Sequence, residues 1–160
     1  MPYKDIEEKR AYQREYMQRP EVKAKQKAYK NRPEVKARNN KLKRANINAT
    51  PYKFVRNKVL SQRASAKARG LVWELDIDAT IAKILRQGRC KLSGDKFVYK
   101  QGKGRENRNP YAPSIDRIDN RKGYIPGNVM FINWENNWAK GDKSLYRYKR
   151  MCAKVAKVAL

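Results

Sequence analysis

The large apolar residues of this sequence are confined to one part of the chain. Residues 1–50 contain no Trp, Phe or Cys and few large aliphatic residues, whereas from Pro51 onward apolar residues recur at helical or strand spacing. Because a core forms only where enough apolar surface can be buried, the first 50 residues cannot fold around a core of their own. We therefore predict a basic arm over residues 1–50 and one folded domain over residues 51–160.

The arm contains an internal repeat of 13 residues. Residues 16–28 read YMQRPEVKAKQKA and residues 29–41 read YKNRPEVKARNNK. Pro followed by Glu is typical of a helix start, because Pro lacks only an N–H that has no partner there and Glu suits the positive helix end. Each Pro also ends the preceding helix. The pattern predicts helices over 3–18, 20–31 and 33–46, either as a solvated, partly disordered tail or as an arm that orders along a phosphate backbone.

The charge of the chain limits the classes of partner. There are 40 Lys and Arg residues against 15 Asp and Glu residues and no His, so the formal net charge is +25. A soluble protein this basic normally binds a polyanion, most often nucleic acid. Without His the chain lacks the usual general base at neutral pH and every His-containing metal cage. Because Cys90 and Cys152 cannot complete a four-ligand site alone, no zinc is expected.

The start of the sequence has none of the features of an export signal. MPYKDIEEKR is charged throughout, and no segment of the chain is apolar over the length that spans a bilayer. We therefore expect a cytoplasmic protein that is not secreted and has no membrane partner. In that compartment Cys90 and Cys152 are expected to be small buried apolar residues without a disulfide.

Short elements are predicted between the arm and residue 113. Apolar residues at helical spacing from Phe54 indicate a helix that Gly70 ends, and Asp78 is a plausible N-cap for a second helix that Gly88 ends. The tryptophans Trp73, Trp134 and Trp138 are expected in the core rather than stacked on bases. The remaining predictions are a helix over about 79–87, strands over 71–75, 89–92 and 97–99, and a loop over 101–113.

The segment 113–142 carries the predicted chemistry. It reads PSIDRIDNRKGYIPGNVMFINWENNWAKGD, which predicts a strand, a turn-rich loop over 119–127, a second strand and a helix over 134–141. An Asp at the end of the first strand and an Asn on the helix supply hard oxygen ligands that suit Mg²⁺ or Mn²⁺, with room for waters and a substrate phosphate. A closing basic helix is predicted over 143–158, with Leu145, Tyr148, Met151, Cys152 and Val155 on one side.

This segment resembles the ββα-metal nuclease family, also called HNH or His-Me finger, and especially its phage and homing-type members. The family pattern is Asp-His at the first strand, an Asn that opens the second strand, and an Asn or His on the helix near Lys-Gly. Asp116 matches the metal-binding Asp, and Arg117 falls at the position of the catalytic His. Asn128 matches the central Asn that braces the loop and aligns the base. Asn137 matches the helix ligand, although a shift of one residue would select Asn136.

The resemblance implies an α+β fold with a small ββα-metal core at about 113–142, a helical lead-in, the basic arm and a C-terminal helix. It implies hydrolysis of DNA phosphodiester bonds with one Mg²⁺ or Mn²⁺ bound by Asp116 and Asn137, and with Arg117, Asp116 and Asn128 as the catalytic set. Because one site holds one phosphate, a monomer is expected to nick double-stranded DNA, and a homodimer would cut both strands. The segment 88–94, GRCKLSG, resembles the knuckle before the motif without its second Cys. No small-molecule cofactor is implied, and a phage-encoded member would act in the host cytoplasm.

Arg117 departs from the family pattern. A guanidinium stays protonated and cannot take a proton from water, although it could clamp the scissile phosphate. The general base would then be Asp119, Tyr124, Glu135 or a metal-bound hydroxide.

The predicted DNA contacts are basic residues of the arm and of the domain. Two alternatives stay open from the sequence, namely an inactive HNH-like DNA-binding protein, which Arg117 favours, and an RNA-binding protein, which the charge and ten tyrosines favour. The predicted contacts are Arg19, Lys23, Arg32, Lys36, Arg38, Arg63, Arg69, Arg121, Lys122 and Lys140.

Overall fold

The computed structural model of the protein describes residues 6–102 and 108–158. It divides the chain into two compact units, Met1–Ala45 and Asn46–Leu160. The described residues form helices and one two-stranded antiparallel sheet, which confirms the coarse α+β class. Parts of two predicted elements, at residues 3–5 and 103–107, lie outside the described residues. The elements are α1 (Ile6–Gln18), α2 (Pro20–Asn31), α3 (Pro33–Ile47), α4 (Pro51–Ala68), α5 (Ile77–Gln87), β1 (Pro113–Arg117), β2 (Val129–Asn133), α6 (Trp134–Lys140) and α7 (Leu145–Ala156).

The repeat of the arm folds twice into the same joint. Arg19 and Arg32 precede the prolines that begin α2 and α3, with φ/ψ of −59/134° and −57/136°. Each guanidinium lies over a Tyr ring three residues earlier, at 5.5 Å for Arg19 over Tyr16 and 5.6 Å for Arg32 over Tyr29. None of the described residues of α1, α2 and α3 is buried. The helices predicted for the arm are confirmed within their described ranges.

The core of the second unit lies between α4, α5 and the hairpin. Thr50 caps α4 by accepting a hydrogen bond from the Lys53 backbone N–H at 3.1 Å, and the helix buries one face against α5 and β1. Gly88 ends α5 with φ +61°, a left-handed conformation that favours glycine. The buried apolar residues of these helices are Phe54, Val55, Val59, Ala66, Ile81 and Ile84.

The start of α5 differs from the prediction. The helix begins at Ile77, and Asp76 rather than Asp78 is its N-cap, since Asp76 Oδ1 accepts a hydrogen bond from the Ala79 N–H at 2.7 Å. Asp78 lies in the first turn, where its charge favours the positive end of the helix. Asp76 and Asp78 are two residues apart, and either could cap a helix by its residue type. Asp76 is the cap because it has the extended backbone of an N-cap, whereas Asp78 is already helical.

The three strands predicted before residue 113 are wrong. Residues 71–75 make only an isolated parallel bridge, from Trp73 to Tyr124, and residues 89–99 make only the antiparallel bridge from Arg89 to Lys96. In the first segment the partner is a loop residue and not a second strand. In the second segment, the chain reverses direction at a tight turn around Gly94, and Arg89 and Lys96 on either side of the turn form the bridge.

The hairpin and α6 follow one another without a linker. β1 and β2 pair antiparallel with Asp116 opposite Met130. Asn133 ends β2 and caps α6, because its Oδ1 accepts a hydrogen bond from the Asn136 N–H at 2.9 Å. The strand–loop–strand–helix order predicted from the sequence is therefore present, with α6 ending one residue earlier than expected.

The closing helix is only partly packed. In α7, Leu145 contacts the core and Tyr148 is buried, with its hydroxyl donating to Asn136 Oδ1 at 2.8 Å. Met151, Cys152 and Val155 are exposed, so the prediction of a covered apolar side holds only for the first turn. Cys90 is buried as expected, whereas Cys152 is exposed, which corrects its predicted burial. Trp138 is exposed, which corrects its predicted place in the core, because it lies on the solvent side of the short helix α6.

Among the described helices, none combines the length and the apolar character needed to cross a membrane.

Candidate functional site

Asp116 and Lys140 form a buried ion pair between β1 and α6. Lys140 Nζ lies 3.0 Å from Asp116 Oδ2 and 3.3 Å from Oδ1, and it donates to the Arg117 carbonyl oxygen at 3.2 Å. The Lys140 side chain has no exposed surface, and Asp116 is 6 % exposed. Burial raises the pKa of the Asp116 carboxyl, and Lys140 opposes that shift. Lys140 is therefore out of reach of DNA, which corrects its predicted role as a DNA contact.

Asn137 lies one turn earlier on the same side of α6. Its Nδ2 donates to Ser114 Oγ at 2.6 Å. Ser114 and Asp116 are two residues apart and so share a face of β1, while Asn137 and Lys140 are three apart and share a side of α6. The two predicted metal ligands thus lie at one interface between strand and helix. Asn136, the alternative ligand, turns instead toward Asn133 and Ser93.

The oxygen atoms at this interface fit a hard divalent cation in their chemistry. Asp116 Oδ2 is buried and accepts no hydrogen bond from a described residue, although the Lys140 ammonium is close. The Asn137 amide and the Ser114 hydroxyl add neutral oxygens of the kind that Mg²⁺ and Mn²⁺ accept. A divalent ion would compete with Lys140 for the same carboxylate. Among the described residues there is no group of three or more His, Cys, Asp or Glu side chains that could hold a metal alone.

Asn128 braces the loop between the two strands. Its Oδ1 accepts from the Asp119 N–H at 2.9 Å, and its Nδ2 donates to the carbonyl oxygens of Asp119 and Gly123 at 3.1 and 2.9 Å. The side chain is 7 % exposed, so these bonds form away from water. These three side-chain bonds all reach residues 119–123, so Asn128 sets the position of the loop.

Arg117 is also bonded to the loop. Its Nη1 donates to the carbonyl oxygens of Asn120 and Lys122, each at 2.9 Å, and its guanidinium lies 5.5 Å from the centre of the Tyr124 ring. The side chain is half-buried. Through Nη1, Arg117 holds the loop between the two strands. Its positive charge belongs to the residue that follows Asp116 in the sequence.

Two of the candidate general bases have partners of their own. Asp119 accepts two hydrogen bonds from the Arg121 side chain, both at 3.1 Å, and these bonds lower the pKa of Asp119. A carboxylate with a lowered pKa is a weaker base. The buried Tyr124 hydroxyl accepts hydrogen bonds from Gln62 and, at 3.2 Å, from Arg69. Glu135 is exposed at the first turn of α6.

Segment 71–75 fixes the far side of the loop. The Tyr124 N–H donates to the Val72 carbonyl at 2.8 Å, and the Glu74 N–H donates to the Tyr124 carbonyl at 2.9 Å. The Trp73 and Tyr124 rings lie 5.1 Å apart. A Cβ at Gly123 would come within 2.5 Å of the Val72 carbonyl oxygen, so this approach requires glycine.

The other predicted DNA contacts lie on the surface. Nine of the ten are exposed, and Arg121 among them is 90 % exposed although it is paired with Asp119. Exposed cations with weak or no acidic partners are the type of residue that binds phosphate. The exposed residues are Arg19, Lys23, Arg32, Lys36, Arg38, Arg63, Arg69, Arg121 and Lys122.

Sequence reasoning missed three residues of this region. Ser114 was overlooked although its spacing from Asp116 places it on the same strand face. The pairing of Lys140 was missed as well: a carboxylate at a buried strand position needs a cation, but periodicity does not identify which cation it is. Lys58, which lines a cavity beside Ser114, had no signal beyond its place in an amphipathic helix.

Comparisons with protein families, with curated proteins and with solved structures find no match to this chain. The resemblance to HNH nucleases consequently rests on the sequence alone, chiefly on segment 113–142.

Proposed function

We propose that this protein is an HNH-like endonuclease that binds double-stranded DNA and hydrolyses a phosphodiester bond with one Mg²⁺ or Mn²⁺. The observation that supports the proposal is the interface of β1 and α6, where Asn137 donates a hydrogen bond to Ser114 and where the buried carboxylate of Asp116 is paired with Lys140. A single site of this kind acts on one strand, so the product of a monomer is a nick. A phage-type enzyme acting in the host cytoplasm accords with the proposal.

The roles proposed for the residues follow from their contacts. Asp116 and Asn137 would hold the divalent ion, which supplies stabilisation of the negative charge that develops on the phosphate. Arg117 adds a permanent positive charge, and it cannot serve as the base. Asn128 fixes the loop that carries Asp119 and Gly123. Among the candidates for the general base, Asp119 is weakened as a base because its hydrogen bonds with Arg121 lower its pKa.

Incubation of supercoiled plasmid with Mg²⁺ or Mn²⁺ tests the proposal. The wild-type protein is expected to produce open circles, and Asp116→Asn and Asn137→Ala are expected to lose at least about 10²-fold in rate, the order of effect for loss of one strong electrostatic or catalytic group. Asp142→Asn is the matched control, since Asp142 is exposed beyond α6. If Asp116→Asn cuts as fast as the control, the assignment of the ligand is wrong.

The second candidate function is DNA binding without cleavage. The Lys140–Asp116 pair favours it, because an ammonium already neutralises the proposed metal ligand. Tight binding in gel-shift assays together with no nicking across Mg²⁺, Mn²⁺ and pH would establish this function. If the protein prefers RNA when RNA and duplex DNA compete in the gel-shift assay, both candidate functions are wrong.

A further inference from the structure

A small cavity lies beside β1, on the side where α4 and the start of α6 approach the strand. Its volume is about 140 Å³, and its polar lining comes from Lys58, Ser61, Gln62 and Ser114. Trp134 forms part of the apolar wall. Because a water molecule occupies about 30 Å³ in the liquid, the cavity has room for a group of several heavy atoms. No acidic residue is among the described residues that line it.

Lys58 is a lining residue of this cavity, and a second cation, Arg108, lies over its Trp134 wall without lining it. Lys58 lines it from α4, and its Nζ lies 5.6 Å from the centre of the Phe54 ring. The Arg108 guanidinium lies over Trp134, at 5.4 Å from the ring centre. Burial lowers the pKa of Lys58, and the nearby like charge of Arg108 lowers it further.

Neither cation has a carboxylate partner among the described residues. The ion pairs of the domain's described residues include Arg121 with Asp119 and Lys140 with Asp116, and neither of these pairs involves Lys58 or Arg108. Two neighbouring cations, one of them half-buried, are costly without an anion between or beside them. The neutral donors Ser61 and Ser114 add hydroxyl groups of the kind that bind phosphate oxygens.

We propose that this cavity binds a phosphate group of the DNA backbone through Lys58, with Ser61 and Ser114 as neutral donors and with the positive charge of Arg108 nearby. The choice of DNA as the source of the phosphate rests on the proposed function. Ser114 also accepts a hydrogen bond from Asn137 and lies two residues before Asp116, about 6.6 Å along a strand. A phosphate bound in the cavity would therefore place the DNA backbone next to the proposed catalytic interface of β1 and α6.

Inorganic phosphate is the first probe, because its binding does not depend on DNA. Thermal unfolding is followed with increasing phosphate against chloride at equal ionic strength. The wild-type protein is expected to gain several degrees, and Lys58→Gln is expected to lose that gain. Lys58→Arg keeps the positive charge and is expected to keep the stabilisation by phosphate. Lys67→Gln, at the exposed end of the same helix, is the matched control.

Gel-shift titration of a short duplex is the second probe. Lys58→Gln is expected to weaken binding about 5- to 10-fold and to reduce the salt slope by about one unit, since one phosphate contact is lost. Lys67→Gln is expected to change affinity less than 2-fold. If Lys58→Gln matches Lys67→Gln in both probes, the cavity is not a phosphate site, even where DNA binding itself stands. If phosphate binding is lost in Lys58→Gln while wild-type protein binds no DNA, the cavity stands and the proposed function fails.

Discussion

At the scale of single residues, Lys140 differs from the exposed basic residues because it is buried in an ion pair with Asp116. It is one of 40 Lys and Arg residues, and its side chain is fully buried against Asp116. Replacing it with Met leaves the Asp116 carboxylate buried without a counter-charge, which costs about 3–5 kcal/mol when one partner of a buried pair is removed. The free energy of unfolding of Lys140→Met, measured in urea, is expected to fall by that amount.

Lys149→Met is the control for Lys140→Met, because Lys149 is exposed on α7. Its effect is expected to stay within about 0.5 kcal/mol. The double variant Lys140→Met, Asp116→Asn is expected to lose less stability than the two single variants together, since neither charge is then left unpaired. Additive losses would show that the two side chains do not interact.

Gly123 is held close to a neighbouring backbone by the hydrogen bond from the Tyr124 N–H to the Val72 carbonyl. A methyl group at Gly123 would lie 2.5 Å from the Val72 carbonyl oxygen and 2.8 Å from its Cβ. Gly123→Ala is expected to cost about 2 kcal/mol or more, because a well-packed contact must move apart. Urea denaturation measures this, with the neighbouring exposed Lys122→Ala as the control. Equal stability of the two variants would mean that the loop tolerates another path.

The residues of the candidate site were predictable to different degrees. Asp116, Asn128 and Asn137 could be selected because their order along a strand–loop–strand–helix pattern is visible in the sequence. The partner of Asp116 could not be selected in the same way, since periodicity gives the face of a residue and not the atom it meets. The bonds from Arg117 to two loop carbonyls depend on how the loop folds back, which no local pattern specifies.

At the scale of elements, helix ends were predicted well and short strands poorly. The prolines that begin α2 and α3 and the glycine after α5 act through local backbone geometry, so the sequence alone is sufficient for these ends. A strand needs a partner that is distant in the chain. Residues 71–75 alternate like a strand, but their partner is the single residue Tyr124. Only β1 and β2, joined by one loop, carry both halves of a pair in one segment.

The loop between β1 and β2 depends on one side chain. Asn128 makes three hydrogen bonds to it, and replacing Asn128 with Ala leaves the Asp119 N–H without its acceptor. Asn128→Ala is expected to lose about 1–3 kcal/mol of stability, the cost of an unsatisfied buried polar group. Hydrogen exchange is expected to rise at the Asp119 amide.

Asn120→Ala is the control for Asn128→Ala. Arg117 bonds to the backbone carbonyl of Asn120, which the substitution keeps. Its loop amides are expected to exchange at the wild-type rate. Slow exchange at Asp119 in Asn128→Ala would show that the loop is held by other contacts.

At the scale of the whole molecule, charge and core are separated along the chain. Residues 1–50 hold 15 Lys and Arg residues and 6 Asp and Glu residues, a net charge of +9 out of +25. The described helices of the arm bury no residue, while the described core runs from Ile47 to Tyr148. The arm therefore contributes charge and little stability, and the two contributions can be separated by truncation.

Removal of residues 1–45 tests this separation. The remaining chain keeps Ile47 and every described core residue, so its free energy of unfolding is expected to change by less than about 0.5 kcal/mol, as for surface changes. Its affinity for duplex DNA is expected to fall, and the slope of log K against log salt is expected to shrink by about 4.5, since five predicted phosphate contacts are lost at about 0.9 each. Charge reversal of only Lys36 and Arg38 to Glu in the full chain is the control for a change in length. An unchanged salt slope after truncation would mean that the arm does not lie along the phosphate backbone, and DNA binding would then belong to the folded unit alone.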